Sequence, residues 1–389
     1  MVVEAHINST MLRWARRRSF ARINDASNAL NVRLEKLEAW EKGELRPTFR
    51  QAQDLAKKLK IPFGYLYLSD PPDEKLPLPD LRTKSGSYRR KPSPDFLEVL
   101  YDAQRKQDWY HDYLEGEQSQ PVPFVGRFNV KSPVKDVAED ISRALRLDES
   151  LRRQVGGREE FLRHVVRRAE NAGVLVMRSG IVGNNTRRSL DPEEFQGFAI
   201  SDDLAPLVFI NQNDFLSAQI FTLAHEFAHI WMGLSGVSNL EYLEKPEQQH
   251  HSHERATDAV AAEILVPATS FTLRWEDSHE IEDNIERLSR HYRVSRFVIL
   301  RRAYDLNRLT FETFREKYAE LISQTPRKGK GSRGGGGYAS IFSRSSNTIA
   351  SALIYSVLEG KGSPKEAAQL LNVRISKLRG LEQYWLKGR

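Results

Sequence analysis

Apolar positions recur at three- and four-residue spacing from residue 10 to residue 68, the period of helices with one buried face. Breaks at Asn31, Gly43, Pro47 and Pro62 divide the stretch into four or five short helices. Residues 69–95 are Pro-rich and polar and read as an extended linker. Helical spacing returns over 96–116, 133–147 and 158–172. The period then changes. "GVLVMRSG" (173–180), "FQGFAISDD" (195–203) and "APLVFINQ" (205–212) are β-type runs bounded by Gly, Asp, Asn and Pro. A helix is predicted from Asp214 to Met232, a polar loop over 235–253, and a helix over 253–267 that Pro267 closes. Residues 280–321 are helical again, 325–342 begin as a basic Gly-rich linker, and 345–386 hold two or three more helices. The pattern predicts a mostly helical α+β chain. Its segments are an all-α N-terminal domain (1–70), a connector (71–132), a central domain with a small sheet (133–270), a helical subdomain (271–324), the linker (325–342) and a helical C-terminal segment (343–389).

One motif returns within the chain. "ALNVRLEKLEAW" (29–40) and "LLNVRISKLRGL" (370–381) share Asn-Val-Arg-x-x-Lys-Leu, and "RHYRVSRFVILRRAYDL" (290–306) has a looser version. Each predicts a helix, a tight turn and a second helix.

Composition narrows the class. The 389 residues are too many for one core, so two or three domains are expected. There are no cysteines, which excludes disulfides and thiolate metal sites and suits a reducing cytoplasm. No apolar run approaches the roughly 18 residues of a membrane span, and "MVVEAHINSTMLRWARRR" lacks a signal-peptide core. The formal charge is +7. Its excess sits at the ends, with 13 basic against 7 acidic residues in 1–60 and 12 against 3 in 325–389.

The helix predicted over 214–232 contains "FTLAHEFAHIWMG" (221–233), apolar nearly all round, with His225, Glu226 and His229 in its middle. Burying such groups costs several kcal/mol unless they are paired or metal-bound. His225 and His229, four apart, share one helix face and can share a metal. Glu226 beside them completes HExxH, the spacing of zinc proteases. Such a site wants a third protein ligand. Glu254, which opens "ERATD", is the candidate, with Asp258 one turn on to take the free N–H of a ligating imidazole. His250, His251 and His253 are alternative third ligands or oxyanion donors; Tyr242, His291 and Tyr292 are further candidates for the donor. Zinc there acidifies water and polarises a scissile carbonyl, with Glu226 taking the proton and passing it to the leaving amine. The strand run 197–210 is a candidate edge for holding an extended peptide, or else an internal pair packed under the helix.

These residues carry a family likeness. "FTLAHEFAHIWMGLSGVS" followed by "ERATDAVAAEILVP" resembles the ImmA/IrrE family of metallopeptidases, and "DPEEFQGFAISDDLAPLVFINQND" is similar to the strand region of its longer members. Val260 and Val266 stand where many members have Phe and Met. The N-terminal helices, with "AWEKGELRPT", resemble an XRE-type helix-turn-helix domain. The resemblance implies a zincin-like domain that cuts a partner protein, often a DNA-binding repressor, with His225, His229 and Glu254 holding Zn²⁺ and Glu226 as general base. In the helix-turn-helix reading the second helix is about Arg33–Lys42. Arg33 and Lys36 then reach bases or phosphates, and Arg22, Arg46 and Arg50 the backbone. Glu35, Glu38 and Glu41 put three negative charges on that helix, which leaves docking of a related repressor as the other use of the domain. A DNA-binding regulator or antitoxin whose zinc fold senses or docks without cutting is the alternative for the whole chain.

Overall fold

The computed structural model describes residues 3–20, 22–72, 78, 92–238, 252–324 and 337–387. Contacts divide the chain into one unit of Met1–Pro77 with Arg90–Glu98, and a second of Leu78–Arg89 with Val99–Arg389.

In the first unit four helices follow the apolar period: α1 (Ser9–Ser19), α2 (Ile23–Leu30), α3 (Leu34–Lys42) and α4 (Phe49–Lys58), then a 3₁₀ turn at Phe63–Tyr67. Local chemistry sets their ends. Asn8 caps α1 by accepting from the Thr10 N–H, and Thr48 with Gln51 forms a capping box on α4. Asn31 and Gly43 end α2 and α3 in the left-handed region, at φ 56° and 78°. Leu12, Ala26, Leu30, Leu37, Trp40 and Leu55 fill the core. Of the three glutamates on α3, Glu41 turns inward and accepts from Arg16 Nε at 2.8 Å and Nη2 at 3.0 Å, both side chains being buried. The residue falls on the same face as Leu37, so the helix period, not its charge, decides where it points.

Helix α5 (Pro94–Gly116) contains the division between the units. In the second unit, α6 (Val134–Ala144), α7 (Glu149–Gln154) and α8 (Arg158–Asn171) precede the strands β1 (Leu175–Ser179), β2 (Ile181–Val182), β3 (Asn185–Ser189), β4 (Gly197–Ile200) and β5 (Leu207–Asn211). Next come α9 (Leu216–Trp231), β6 (Gly236–Ser238), α10 (Ser252–Leu265), α11 (Ala268–Arg274), α12 (Ile281–Tyr292), α13 (Arg296–Asp305) and α14 (Phe311–Gln324). Helices α15 (Tyr338–Ser345), α16 (Asn347–Leu358), α17 (Pro364–Leu370) and α18 (Ile375–Lys387) complete the described chain. The result is a mostly helical α+β protein with a small mixed sheet. No described helix is long and apolar enough to cross a membrane.

The main sheet has the order β1-β5-β4-β6, with β1 parallel to β5 and the other pairs antiparallel. Strand alternation turns Val176, Val208, Ile210 and Ala199 toward the core shared with α9. Helix α9 lies on β4 and β5, α10 and α6 pack on α9, and α15 and α16 pack on β1. Trp231 fixes the end of α9: its ring stacks on Phe124 at 3.8 Å and its N–H donates to Asp140 Oδ2 at 2.9 Å. Val260 and Val266 are fully buried in this core.

Several sequence expectations change here. The run 197–210 is no sheet edge, because Gly236–Ser238, expected as loop, pairs with Gly197–Ala199 and covers β4. The β2–β3 ribbon and α7 were not anticipated; β3 is exposed and polar, so it lacks the apolar alternation that marks a strand. The stretch 280–321 is three helices: the tight turn expected within 290–306 falls at Arg293, φ 60°, and Asn307 at φ 56° follows the second helix. Helix α15 starts at Tyr338, within the stretch expected as linker.

Gly197 is where the sheet comes closest to α9. A Cβ there would lie 2.6 Å from Thr222 Cγ2 and 2.9 Å from the Phe209 carbonyl oxygen. Gly197→Ala is expected to destabilise the second unit by about 1–3 kcal/mol through overpacking, read as an earlier midpoint in urea denaturation. An unchanged midpoint would show that strand and helix can separate freely.

Candidate metal centre

Helix α9 is buried along nearly its whole length, His225, Glu226 and His229 included, each at 0% exposure. Their partners come from the first turns of α10, the helix packed against α9. Glu254 and Asp258 are both 4% exposed. Glu254 lies between the two imidazoles, with Oε2 3.4 Å from His225 Nε2 and Oε1 3.3 Å from His229 Nε2. The two Nε2 atoms are 3.0 Å apart. Asp258 Oδ1 is 2.9 Å from His225 Nδ1. A carboxylate only accepts, so Nδ1 carries the proton and His225 Nε2 turns a lone pair into the cluster.

These distances are those of a metal cradle. A tetrahedral shell with arms of about 2.05 Å has edges of about 3.3 Å. The two Nε2 atoms are 3.0 Å apart and each has its own Glu254 oxygen, Oε2 at 3.4 Å and Oε1 at 3.3 Å; one ligand atom from each of the three residues lies within 4.8 Å of the others. Two imidazole nitrogens and one carboxylate oxygen is a donor set suited to zinc and to other divalent ions. Glu254 Oε1 is also buried without a proper hydrogen bond among the described residues. His225, His229 and Glu254 thus form a buried group that can hold a metal ion.

Without an ion the charges settle among the side chains. Burial works against a charged His225, yet Glu254 and Asp258 outweigh it and hold its pKa well above 6.5. Burial likewise opposes ionisation of Glu254, but His225 and His229 keep it far below the usual carboxylate range. His229 is lowered by burial, with Glu254 pulling the other way.

Glu226 stands apart from this exchange. Burial raises its carboxyl to about 8, and the neighbouring His225 offsets only part of that. Neither oxygen has a hydrogen bond of good geometry among the described residues, although Ser238 of β6 is close enough to favour the charged form. A Cβ on Gly197 would come within 2.9 Å of Glu226 Oε1. Gly197 and Ser238 are paired in register, so the carboxylate sits over the β4–β6 ladder. Sequence reasoning missed both residues; the signal was a glycine inside an apolar strand, which marks close backbone approach.

The other sequence candidates fall elsewhere. Tyr242, His250 and His251 lie outside the described residues. His253 is half-buried at the start of α10, its Nδ1 without a hydrogen bond among the described residues. Tyr292 shares a hydrogen bond with Ser270 and His291 pairs with Glu149, so both are engaged away from the histidine cluster. In the first unit, Arg22, Arg33, Lys36, Arg46 and Arg50 are all exposed. Lys36 lies over the Trp40 ring at 5.2 Å, and Arg46 is 3.4 Å from His6.

Two buried histidines one turn apart, closed by a carboxylate from a second helix, are the mark of a metal-dependent hydrolase. Residues 169–304 match the family model for Peptidase_M78, the IrrE N-terminal-like domain. The matched stretch runs from the end of α8 into α13 and contains all four groups of the centre together with Glu226. It supports the ImmA/IrrE family for this region and implies metallopeptidase activity with a metal cofactor and a protein substrate. No curated protein and no solved structure matches the chain.

Purified wild-type protein is expected to carry close to one equivalent of divalent metal by elemental analysis. Glu254→Gln and His229→Ala should lose most of it. Asp258→Ala should keep the ligands but weaken metal affinity by about 10–100-fold in a chelator competition, because His225 loses its orienting partner. Full retention of metal by Glu254→Gln would remove that carboxylate from the site.

Proposed function

We propose that the protein is a zinc-dependent endopeptidase that cuts a specific partner protein, a transcriptional repressor, and that its helical ends connect this activity to DNA. The observation that carries the peptidase reading is the convergence of His225, His229 and Glu254 beside a buried, unengaged Glu226. His225 and His229 offer Nε2, Glu254 offers a carboxylate oxygen, and Asp258 fixes the His225 tautomer. A bound zinc ion supplies Lewis acidity toward water and toward the scissile carbonyl. Glu226 accepts the proton released from the attacking water and delivers it to the leaving amine nitrogen. Its raised pKa suits a group that must both take and give a proton near neutrality.

A repressor as substrate follows from the ImmA/IrrE likeness. The first unit, read as an XRE-type helix-turn-helix, brings the peptidase to DNA or to such a repressor. Arg22, Arg33, Lys36, Arg46 and Arg50 are its candidate phosphate and base contacts, all of them exposed.

The decisive comparison is wild type against Glu226→Gln in the cellular proteome and on co-expressed repressors. Glu226→Gln should retain metal yet cleave at least about 10²-fold more slowly. Equal cleavage by both forms would sink the reading, and metal retention without cleavage by either would leave a regulator whose metal fold serves for sensing or docking.

A further inference from the structure

Among the left-handed helix ends of the chain, the three copies of the repeated motif share one backbone turn. Asn31, Arg293 and Asn372 each adopt φ between 55° and 60°. Behind each stands a valine whose N–H reaches back five residues: Val32 to the Ser27 carbonyl at 3.1 Å, Val294 to Ser289 at 3.2 Å, and Val373 to Ala368 at 2.9 Å. This is the Schellman closure of a helix end, and in all three a second helix starts at once.

The first and last copies also share their core. Ala26, Leu30, Leu37 and Trp40 are 0–2% exposed; Ala367, Leu371, Leu378 and Leu381, at the same offsets, are 0–3% exposed. The α2–α3 and α17–α18 pairs are therefore one helix–turn–helix design used twice. The middle copy is spent on the core. Val298, Ile299, Leu300 and Ala303 of α13 are buried, Arg301 pairs with Asp305, and Arg302 pairs with Glu263.

What differs between the outer copies is the charge of the second helix. Residues 33–42 carry three basic side chains (Arg33, Lys36, Lys42) and three acidic ones (Glu35, Glu38, Glu41), a net of zero. The equivalent residues 374–383 carry Arg374, Lys377 and Arg379 against Glu382 alone, a net of +2. The change falls on three positions: Ser376 stands for Glu35, Arg379 for Glu38 and Gln383 for Lys42. Arg374, Ile375, Ser376, Lys377 and Arg379 are all exposed. The three cations make no side-chain hydrogen bond or ion pair among the described residues. The turn itself is held firmly. Asn372 donates to both oxygens of Asp102 at 3.0 and 3.1 Å, Asn184 donates to the Asn372 carbonyl, and Lys106 and Arg105 pair with Asp102.

We infer that the C-terminal α17–α18 pair is a duplex-DNA-binding surface, with the start of α18 as the element that enters the major groove. In a helix–turn–helix the first residues of the second helix meet the base edges while flanking cations meet phosphates. Arg374, Lys377 and Arg379 supply the positive charge that this geometry requires, and exposed Ile375 supplies an apolar tip suited to a thymine methyl. Helix α3 has the same frame, but Glu35 and Glu38 offset two of its three cations, Glu41 being turned inward to Arg16. The C-terminal pair therefore carries more of the salt-dependent affinity than the N-terminal one.

The test is fluorescence anisotropy of the full chain on a labelled mixed-sequence duplex, across a range of salt. Wild type should bind at low salt, with affinity falling linearly in log–log form. The triple variant Arg374→Gln, Lys377→Gln, Arg379→Gln should weaken binding at least about tenfold and lower the salt slope by about 2–3. The double variant Ser376→Glu, Arg379→Glu, which writes the α3 pattern onto α18, should do the same with circular dichroism unchanged. Arg33→Gln with Lys36→Gln should have the smaller effect. The inference is overturned if wild type shows no salt-sensitive binding to the duplex, if anionic vesicles bind but the duplex does not, or if the N-terminal variant abolishes binding that both folded C-terminal variants retain.

Discussion

A helix that is apolar on nearly every side must lie inside the protein, and any polar group it carries must then find its partner there. Helix α9 carries three such groups within one turn and a half. Glu254 and Asp258 from α10 answer two of them, and because both sit on one face of α10, a single helix–helix contact supplies the clasp. Much else in the second unit serves that contact. The sheet supports α9 from below, α6 holds its end through Asp140 and Trp231, and Val260, Ala261 and Ile264 of α10 fill the core behind the carboxylates. The third group, Glu226, is left unengaged, over a strand pair where a glycine makes room and a serine hydroxyl is near. Buried polar groups are usually satisfied, which sets Glu226 apart from the clasped histidines beside it.

The centre also shows why burial and charge have to be weighed together. The same desolvation that raises the Glu226 carboxyl also opposes the ionisation of Glu254, yet the two carboxyls move in opposite directions. The difference is proximity. Glu254 has an imidazole on either side within 3.4 Å, whereas Glu226 has one neighbour that only partly offsets its burial. Two glutamates in one cavity are thereby separated into a ligand-like carboxylate and an acid–base-like one, which is the division of labour a metal-dependent hydrolysis asks for.

The helix–turn–helix copies make a related point about surfaces. In each of the three motif copies a left-handed residue is followed by a backward-reaching valine amide, and the backbone outcome is the same. Their uses differ because their second helices differ: α13 buries an apolar run and ties its arginines to Asp305 and Glu263, α3 offsets two of its cations with Glu35 and Glu38 and turns Glu41 inward to Arg16, and α18 stays basic and exposed.

The local periods of the chain were enough to place most helices, the three core strands and the pairing of His225 with His229 on one face, because those follow from spacing along a single element. The capping signals at Asn31, Gly43 and Pro267 were legible for the same reason. Long-range pairing was not. That Gly236–Ser238 would leave a polar stretch to cover β4, that Ser238 would thereby face Glu226, and that Glu41 would point to Arg16 all depend on which distant segments meet. Glu254, with Asp258 one turn on, was already the candidate from its spacing, and the packing of α10 on α9 is what sets it between the two imidazoles. Local spacing fixes the direction of a side chain relative to its own helix; only the packing of α9 against α10 decides what stands opposite.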